Sequence, residues 1–126
     1  MGTFRYPIEV GDFEGRRFAP VDALVDTGAT YTSIPSVLLD DLGIRPEEGR
    51  PFILANGQRV FYGMAWVRIR FDGRDQPTLV IFGEPNSEPL LGAFTLEGLG
   101  LAVDSVNRRL VPTPGYLVGI RGTESE

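Results

Sequence analysis

The stretch Ala23-Leu24-Val25-Asp26-Thr27-Gly28-Ala29-Thr30 sets one acidic residue at the end of an apolar run and follows it at once with a hydroxyl and a glycine. Taking a carboxylate out of water is costly unless it is hydrogen-bonded or put to chemical use. A carboxylate at the point where a strand turns into a glycine loop is therefore a candidate for chemistry. Asp, Thr and Gly also suit an ordinary surface turn, so the tripeptide alone is a weak signal. The apolar flanks, Ala23-Leu24-Val25 before it and Ile34-Pro35 after it, argue for a loop inside the fold.

Reading outward, the pattern is mostly strand-like. Phe4 to Val10 and Arg16 to Asp26 are extended runs around a Gly/Asp-rich connection, which predicts a hairpin. Val37 to Gly43 has helical spacing and a terminal glycine, with Ser36 at or near the cap. Arg45 to Pro51 is polar and proline-flanked and reads as a loop. Asn56-Gly57 between apolar arms predicts a hairpin closed by a type I′ turn, since both residues accept positive φ. Ala65 to Phe71 alternates Trp66, Arg68 and Arg70 with Val67, Ile69 and Phe71, as in a half-buried strand. Asp72-Gly73 supplies another hairpin turn, and Thr78 to Phe82 a short apolar strand. Leu90-Leu91-Gly92 leads into one or two helical turns over Ala93 to Leu99. Leu101 to Asp104 and Leu110-Val111 flank a final hairpin. Sixteen glycines and ten prolines break the chain at short intervals, which predicts an all-β, barrel-like fold with two short helices.

Composition narrows the chemistry. A chain of 126 residues with 42% hydrophobic and 23% charged residues suits one globular domain. We expect that domain over residues 1–122, followed by a polar tail at 123–126. Net charge is −5, which argues against a nucleic-acid partner and makes Trp66, Arg68 and Arg70 one face of a strand rather than a basic patch. There is no cysteine, hence no thiol nucleophile and no disulfide framework. There is no histidine either, which removes Ser-His catalysis and argues against a transition-metal site. All twelve basic residues are arginine. Acid–base chemistry near neutral pH then falls to carboxylates or tyrosine. No apolar run approaches a membrane span, and the N-terminus lacks the apolar core of a signal peptide, so the expected location is cytoplasmic.

The segment from Val25 to Pro35 resembles the active-site signature of retropepsin-like aspartic proteases, the single-lobe, retroviral-type family. Leu90-Leu91-Gly92 is similar to that family's second element, two apolar residues and a glycine before a helix. The Asn56-Gly57 hairpin stands where the family carries its flap, and Leu101 to Val111 resembles its closing hairpin. The four elements follow in the family's order over most of the chain.

The resemblance implies a closed, barrel-like acid-protease lobe that works as a twofold homodimer and hydrolyses peptide bonds without metal or organic cofactor. It implies a catalytic Asp26, supported by Thr27, Gly28 and Ala29. Ala55, Asn56 and Gly57 would form a flap over a peptide or protein substrate, and Leu90, Leu91 and Gly92 would pack behind the catalytic loop. Such chemistry needs two carboxylates sharing a proton. Only one Asp-Thr-Gly is present: Asp104-Ser105-Val106 lacks the glycine, and Asp12, Asp22, Asp72 and Asp75 lie in or beside turns. The second carboxylate must then come from a second copy, which an isologous dimer places face to face with the first. One departure is Thr30, where several viral members carry another Asp. Another is length: the chain runs past the point where short viral proteases end, so the closing hairpin or Tyr116 to Ile120 would build the dimer sheet. The main rival is a non-catalytic peptide-binding or dimerisation module on the same fold, which has no reason to keep a costly acid pair. A third reading is an unrelated small β-barrel with Asp26 in a turn.

Overall fold

The computed structural model describes residues 4–114. The predicted Tyr116–Ile120 strand and the polar tail at 123–126 lie outside the described residues. Strands β1 (Phe4–Gly11) and β2 (Phe18–Val25) form the predicted hairpin, with Phe4 opposite Val25 and Gly11 opposite Phe18. Then come β3 (Thr32–Pro35), helix α1 (Ser36–Asp41), β4 (Glu48–Ile53), β5 (Arg59–Phe71) and β6 (Arg74–Gly83). The described chain ends with β7 (Leu90–Leu91), helix α2 (Ala93–Leu99), β8 (Leu101–Asp104) and β9 (Arg109–Pro112).

Among the described residues, seven strands make one mixed sheet in the order β1-β2-β7-β3-β6-β5-β4, and β8 pairs with β9. A further β1–β5 pairing closes six of the strands into a ring. The closure spans only Glu9–Arg70, Val10–Ile69 and Gly11–Arg68, so the ring is narrower at that seam than a regular barrel. The seam is reinforced by side chains. Arg70 Nε donates to Glu9 Oε1 at 2.7 Å, and its guanidinium lies 3.8 Å from the centre of the Phe18 ring. Gly11 must be glycine here, because a Cβ would come within 2.6 Å of that same ring.

Alternation along the strands fills the ring. Val10, Ala23, Ile34, Val67, Ile69, Val80 and Leu91 are fully or almost fully buried, joined by Leu39 of α1 and Leu96 and Leu99 of α2. The outward residues of β5, Trp66, Arg68 and Arg70, remain at least partly exposed, as the alternation predicts.

Several local expectations are corrected. Residues 48–51 belong to β4 and not to a loop; among the described residues β4 is an edge strand paired with β5 alone, so its two faces need not alternate in polarity. Ser36 stands next to the cap of α1, as expected, while Pro35 occupies the cap itself without a side-chain hydrogen bond. The Asn56-Gly57 turn is not type I′. Only Gly57 has positive φ (87°), Gly57 N–H donates to Leu54 O at 2.8 Å, and Leu54 N–H donates to Gln58 O at 2.8 Å. That is a three-residue loop with a glycine bulge, and Asn56 contributes its Oδ1 to Gln58 N–H at 2.9 Å instead of a left-handed backbone. The double positive φ falls at Asp72 (50°) and Gly73 (82°), where Phe71 pairs with Arg74. Strand β6 also begins earlier than its apolar run, at Arg74, because this tight turn hands the chain straight into pairing with β5.

The β1–β2 connection is organised by Asp12, which is 8% exposed. Its Oδ1 accepts the N–H of Arg16 at 2.8 Å and of Arg17 at 2.9 Å, and its Oδ2 accepts Arg16 Nε at 3.2 Å. The Arg17 N–H bond first, and the Arg16 contacts with it, hold the carboxyl below the usual carboxylate range. A depressed folded-state pKa contributes stability that is complete above the unfolded value and is lost as pH falls through the folded one. Asp12→Asn should therefore lower the urea midpoint at pH 7, and the gap from wild type should close as pH falls below the ordinary aspartate range. Urea titrations across that range check this; a gap independent of pH would contradict it.

Candidate active site

Asp26 is the first residue after β2, and its position is fixed from both sides by β7. This two-residue strand runs parallel to β2, pairing Leu24 with Leu90 and Val25 with Leu91, and antiparallel to β3 at Ser33. Leu24 N–H donates to Pro89 O at 2.9 Å and Asp26 N–H to Leu91 O at 3.0 Å. The two arms of the loop are thus held apart by one strand threaded between them. The loop itself is tight: Gly28 N–H donates to Asp26 Oδ1 at 2.9 Å, and Ala29 N–H to Asp26 O at 3.2 Å. A Cβ on Gly28 would stand 3.1 Å from Asp26 Oδ1 and crowd the carboxylate.

The loop is not inside the single chain, as the apolar flanks predicted. Asp26 is half-buried, and Thr27, Gly28 and Thr30 are exposed. The flanks bury themselves in the ring while the turn between them rises to its surface.

Behind the loop, Gly92 connects β7 to α2. Its backbone is extended (φ −99°, ψ 176°), a conformation open to any residue, so its small size is what matters. A Cβ would meet Tyr31 O at 2.6 Å and Ala29 O at 2.9 Å, both rigid backbone. That closeness lets Ala93 N–H donate to Ala29 O and Phe94 N–H to Thr30 O, each at 2.8 Å. The first-turn amides of a helix lack intrahelical partners, and here the loop carbonyls supply them.

Three threonines complete this junction. Thr32 Oγ1 accepts Gly92 N–H at 3.0 Å and lies 2.5 Å from Thr95 Oγ1, which lies 2.9 Å from Thr78 Oγ1. All three are buried. The sequence reading missed Thr32, Thr78 and Thr95; the available signal was a threonine on the inward alternation of β3 and another on the inner face of α2.

Asp26, Thr27, Gly28, Ala29, Leu90, Leu91 and Gly92 therefore form one continuous unit. Ala55, Asn56 and Gly57 form the exposed tip of the separate β4–β5 hairpin. Gly63 pairs with Gly49 in that hairpin, and a Cβ there would come within 2.8 Å of Pro46, so close packing accounts for it. Asp104 is occupied by its own turn, accepting Asn107 N–H at 3.2 Å, Asn107 Nδ2 at 2.9 Å and Arg109 Nε at 3.3 Å. Its role is a hairpin stop. A cleft of about 850 Å³ opens between the β1–β2 turn, the 42–45 segment and Trp66, and none of the Asp26 unit lines it. Among the described residues, no cluster of acidic side chains is arranged to hold a metal ion, and no helix is long and apolar enough to cross a membrane.

An acidic residue in a tight Asp-Thr-Gly loop, braced by an apolar strand and a glycine ahead of a helix, defines a class of protein. The chain belongs to the aspartyl protease family, whose sequence model matches residues 7–94. No curated protein matches it. Solved structures with a similar fold include the simian foamy virus (mac) protease in solution, 23% identical with a TM-score of 0.52, covering 73% of this chain and 92% of that one. The EIAV protease complexed with the inhibitor HBY-793 is also 23% identical, with a TM-score of 0.60, covering 79% of this chain and 89% of that one. The fold is thus that of the single-lobe retroviral proteases.

Removing the central Thr95 hydroxyl takes from the buried Thr78 hydroxyl its partner in the trio and leaves Thr32 Oγ1 with Gly92 N–H. Thr95→Val should cost about 1–3 kcal/mol of unfolding free energy, while Thr95→Ser should recover most of it. Chemical unfolding of the three proteins checks this, and equal stability of the valine and serine variants would contradict it.

Proposed function

We propose that this protein is a homodimeric aspartic endopeptidase in which Asp26 acts together with Asp26 of a second copy. The observation that carries the reading is the exposure of the Asp26 loop on one chain. A half-buried carboxylate with an exposed Thr27 and Gly28 beside it is an unfinished site. No other carboxylate of the sequence stands in an Asp-Thr-Gly context. A twofold axis through the loop completes the site with the same residue.

In that arrangement one carboxylate is ionised and one protonated, because like charges about 3 Å apart do not both ionise. The ionised one takes a proton from water as its oxygen adds to the scissile carbonyl carbon. The protonated one donates to the carbonyl oxygen, giving a tetrahedral diol. One carboxyl then protonates the amide nitrogen while the other takes a proton from a diol hydroxyl, so the C–N bond breaks, the carboxyl product forms and the pair is left with its single shared proton. Gly28 N–H, already bonded to Asp26 Oδ1, orients the carboxylate for this work. Thr27 supports the loop across the dyad, and the Ala55-Asn56-Gly57 tip closes over an extended substrate, excluding water and adding main-chain hydrogen bonds.

Asp26→Asn keeps the size of the side chain and removes both the acid and the base of the dimer at once. Peptide hydrolysis should fall by roughly a thousandfold or more, with folding and dimerisation retained. Wild-type activity should favour acidic pH, where one proton is shared by the pair. A peptide-library digest of both proteins across pH checks this. Equal cleavage by the two would exclude Asp26 as the catalytic group.

The hairpin tip gives a second expectation. Gly57 has φ 87°, which a β-branched residue adopts only under strain. Gly57→Val should cost about 1–3 kcal/mol of stability and lower kcat/KM several-fold while the dimer persists. Steady-state kinetics on several peptides decide the matter, and unchanged constants would make the hairpin merely structural.

A further inference from the structure

We propose that Arg50 is a positioning residue that latches the base of the β4–β5 hairpin to the Asp26 loop by way of Tyr31; its kinetic consequence rests on the protease reading above. Tyr31 is the fixed end of the latch. Its carbonyl packs against the place where Gly92 lacks a side chain. Its neighbours are bonded on both sides, Thr30 O to Phe94 N–H and Thr32 Oγ1 to Gly92 N–H. The Tyr31 ring meets Phe94 of α2 with centroids 5.9 Å apart and Phe52 of β4 at 6.4 Å, edge-on.

The hairpin is the movable end. Among the described residues β4 pairs with β5 alone, and the hairpin tip presents Ile53, Leu54 and Phe61 to solvent. Arg50 Nη1 donates to Tyr31 Oη at 3.1 Å. This is the one side-chain hydrogen bond between β4 and the 26–32 loop among the described residues. The guanidinium also lies over the Tyr31 ring, 5.8 Å from its centroid, so a cation–π attraction adds to the hydrogen bond. Glu48, two residues back on the same face of β4, pairs with Arg50 and aims it. Phe52 in turn meets Tyr62 of β5 at 6.0 Å, which carries the contact across the hairpin. Lifting the hairpin would break the Arg50–Tyr31 bond; closing it would remake the bond against the braced Tyr31.

The test compares Arg50→Gln, Tyr31→Phe and the double variant with wild type. Tyr31→Phe keeps the ring contacts and removes only the hydroxyl. Amide hydrogen exchange over residues 52–61 should be roughly threefold to tenfold faster in each single variant and no faster still in the double, while the β8–β9 hairpin is unchanged. With a cleaved peptide, KM should rise by a similar factor and kcat stay within about twofold. Unchanged exchange, or single-variant effects that add in the double, would overturn the latch. Faster exchange with unaltered KM in a protein that cleaves would overturn the positioning role. A wild type that cleaves no peptide defeats the protease reading and leaves the exchange comparison to decide the latch.

Discussion

The site depends on how closely Gly92 approaches the carbonyls of Ala29 and Tyr31. Those oxygens lie within 3 Å of where a side chain would begin, so no other residue fits without moving backbone. From that contact the rest follows. The first amides of α2 reach the loop carbonyls, Thr32 reaches Gly92 N–H, and the threonine trio ties the loop to the ring wall. β7 is only two residues long, yet it pairs with the strand entering the loop and the strand leaving it. A loop so held has its backbone set by the core, not by its own flexible turn residues.

Such rigidity matters because the proposed chemistry asks one carboxylate to meet its own copy. An ion pair of opposite sign draws itself together; two carboxylates repel until a proton intervenes. The scaffold must supply the closeness that the charges resist. In this fold the brace behind the loop is apolar and hydrogen-bonded throughout, while the loop itself faces outward with Asp26 half-buried. The exposed face and the buried brace are two sides of one arrangement, and the exposed face is where the proposed second chain would meet the first.

Much of this was legible in the residues. The alternation of Val67, Ile69 and Phe71 and the paired runs around Gly11–Gly15 marked strands, and the family resemblance of Leu90-Leu91-Gly92 pointed to the strand behind the loop. What was not legible arose from long-range packing. Glu48 to Pro51 carry no apolar alternation, because an edge strand needs none. Asn56-Gly57 has the composition of a type I′ turn, but Asn56 Oδ1 bonds Gln58 N–H and a bulge results, while the less conspicuous Asp72-Gly73 adopts the double positive φ. The apolar flanks of Asp26 indicated a buried loop; they are buried, and the turn between them is not. Thr32, Thr78 and Thr95 lie 63 and 17 residues apart along their two contacts, so no local pattern joins them. Tyr31 and Arg50, from different elements, escaped for the same reason.

The central claim is that two copies of Asp26 make one catalytic centre. Mixing wild type with Asp26→Asn at constant total chain concentration, after full subunit exchange, tests it directly through peptide hydrolysis. If both carboxylates are required, activity follows the square of the wild-type fraction, about a quarter at an equal mixture. Activity proportional to the wild-type fraction, about half at an equal mixture, would contradict the account, because each chain would then be hydrolysing on its own.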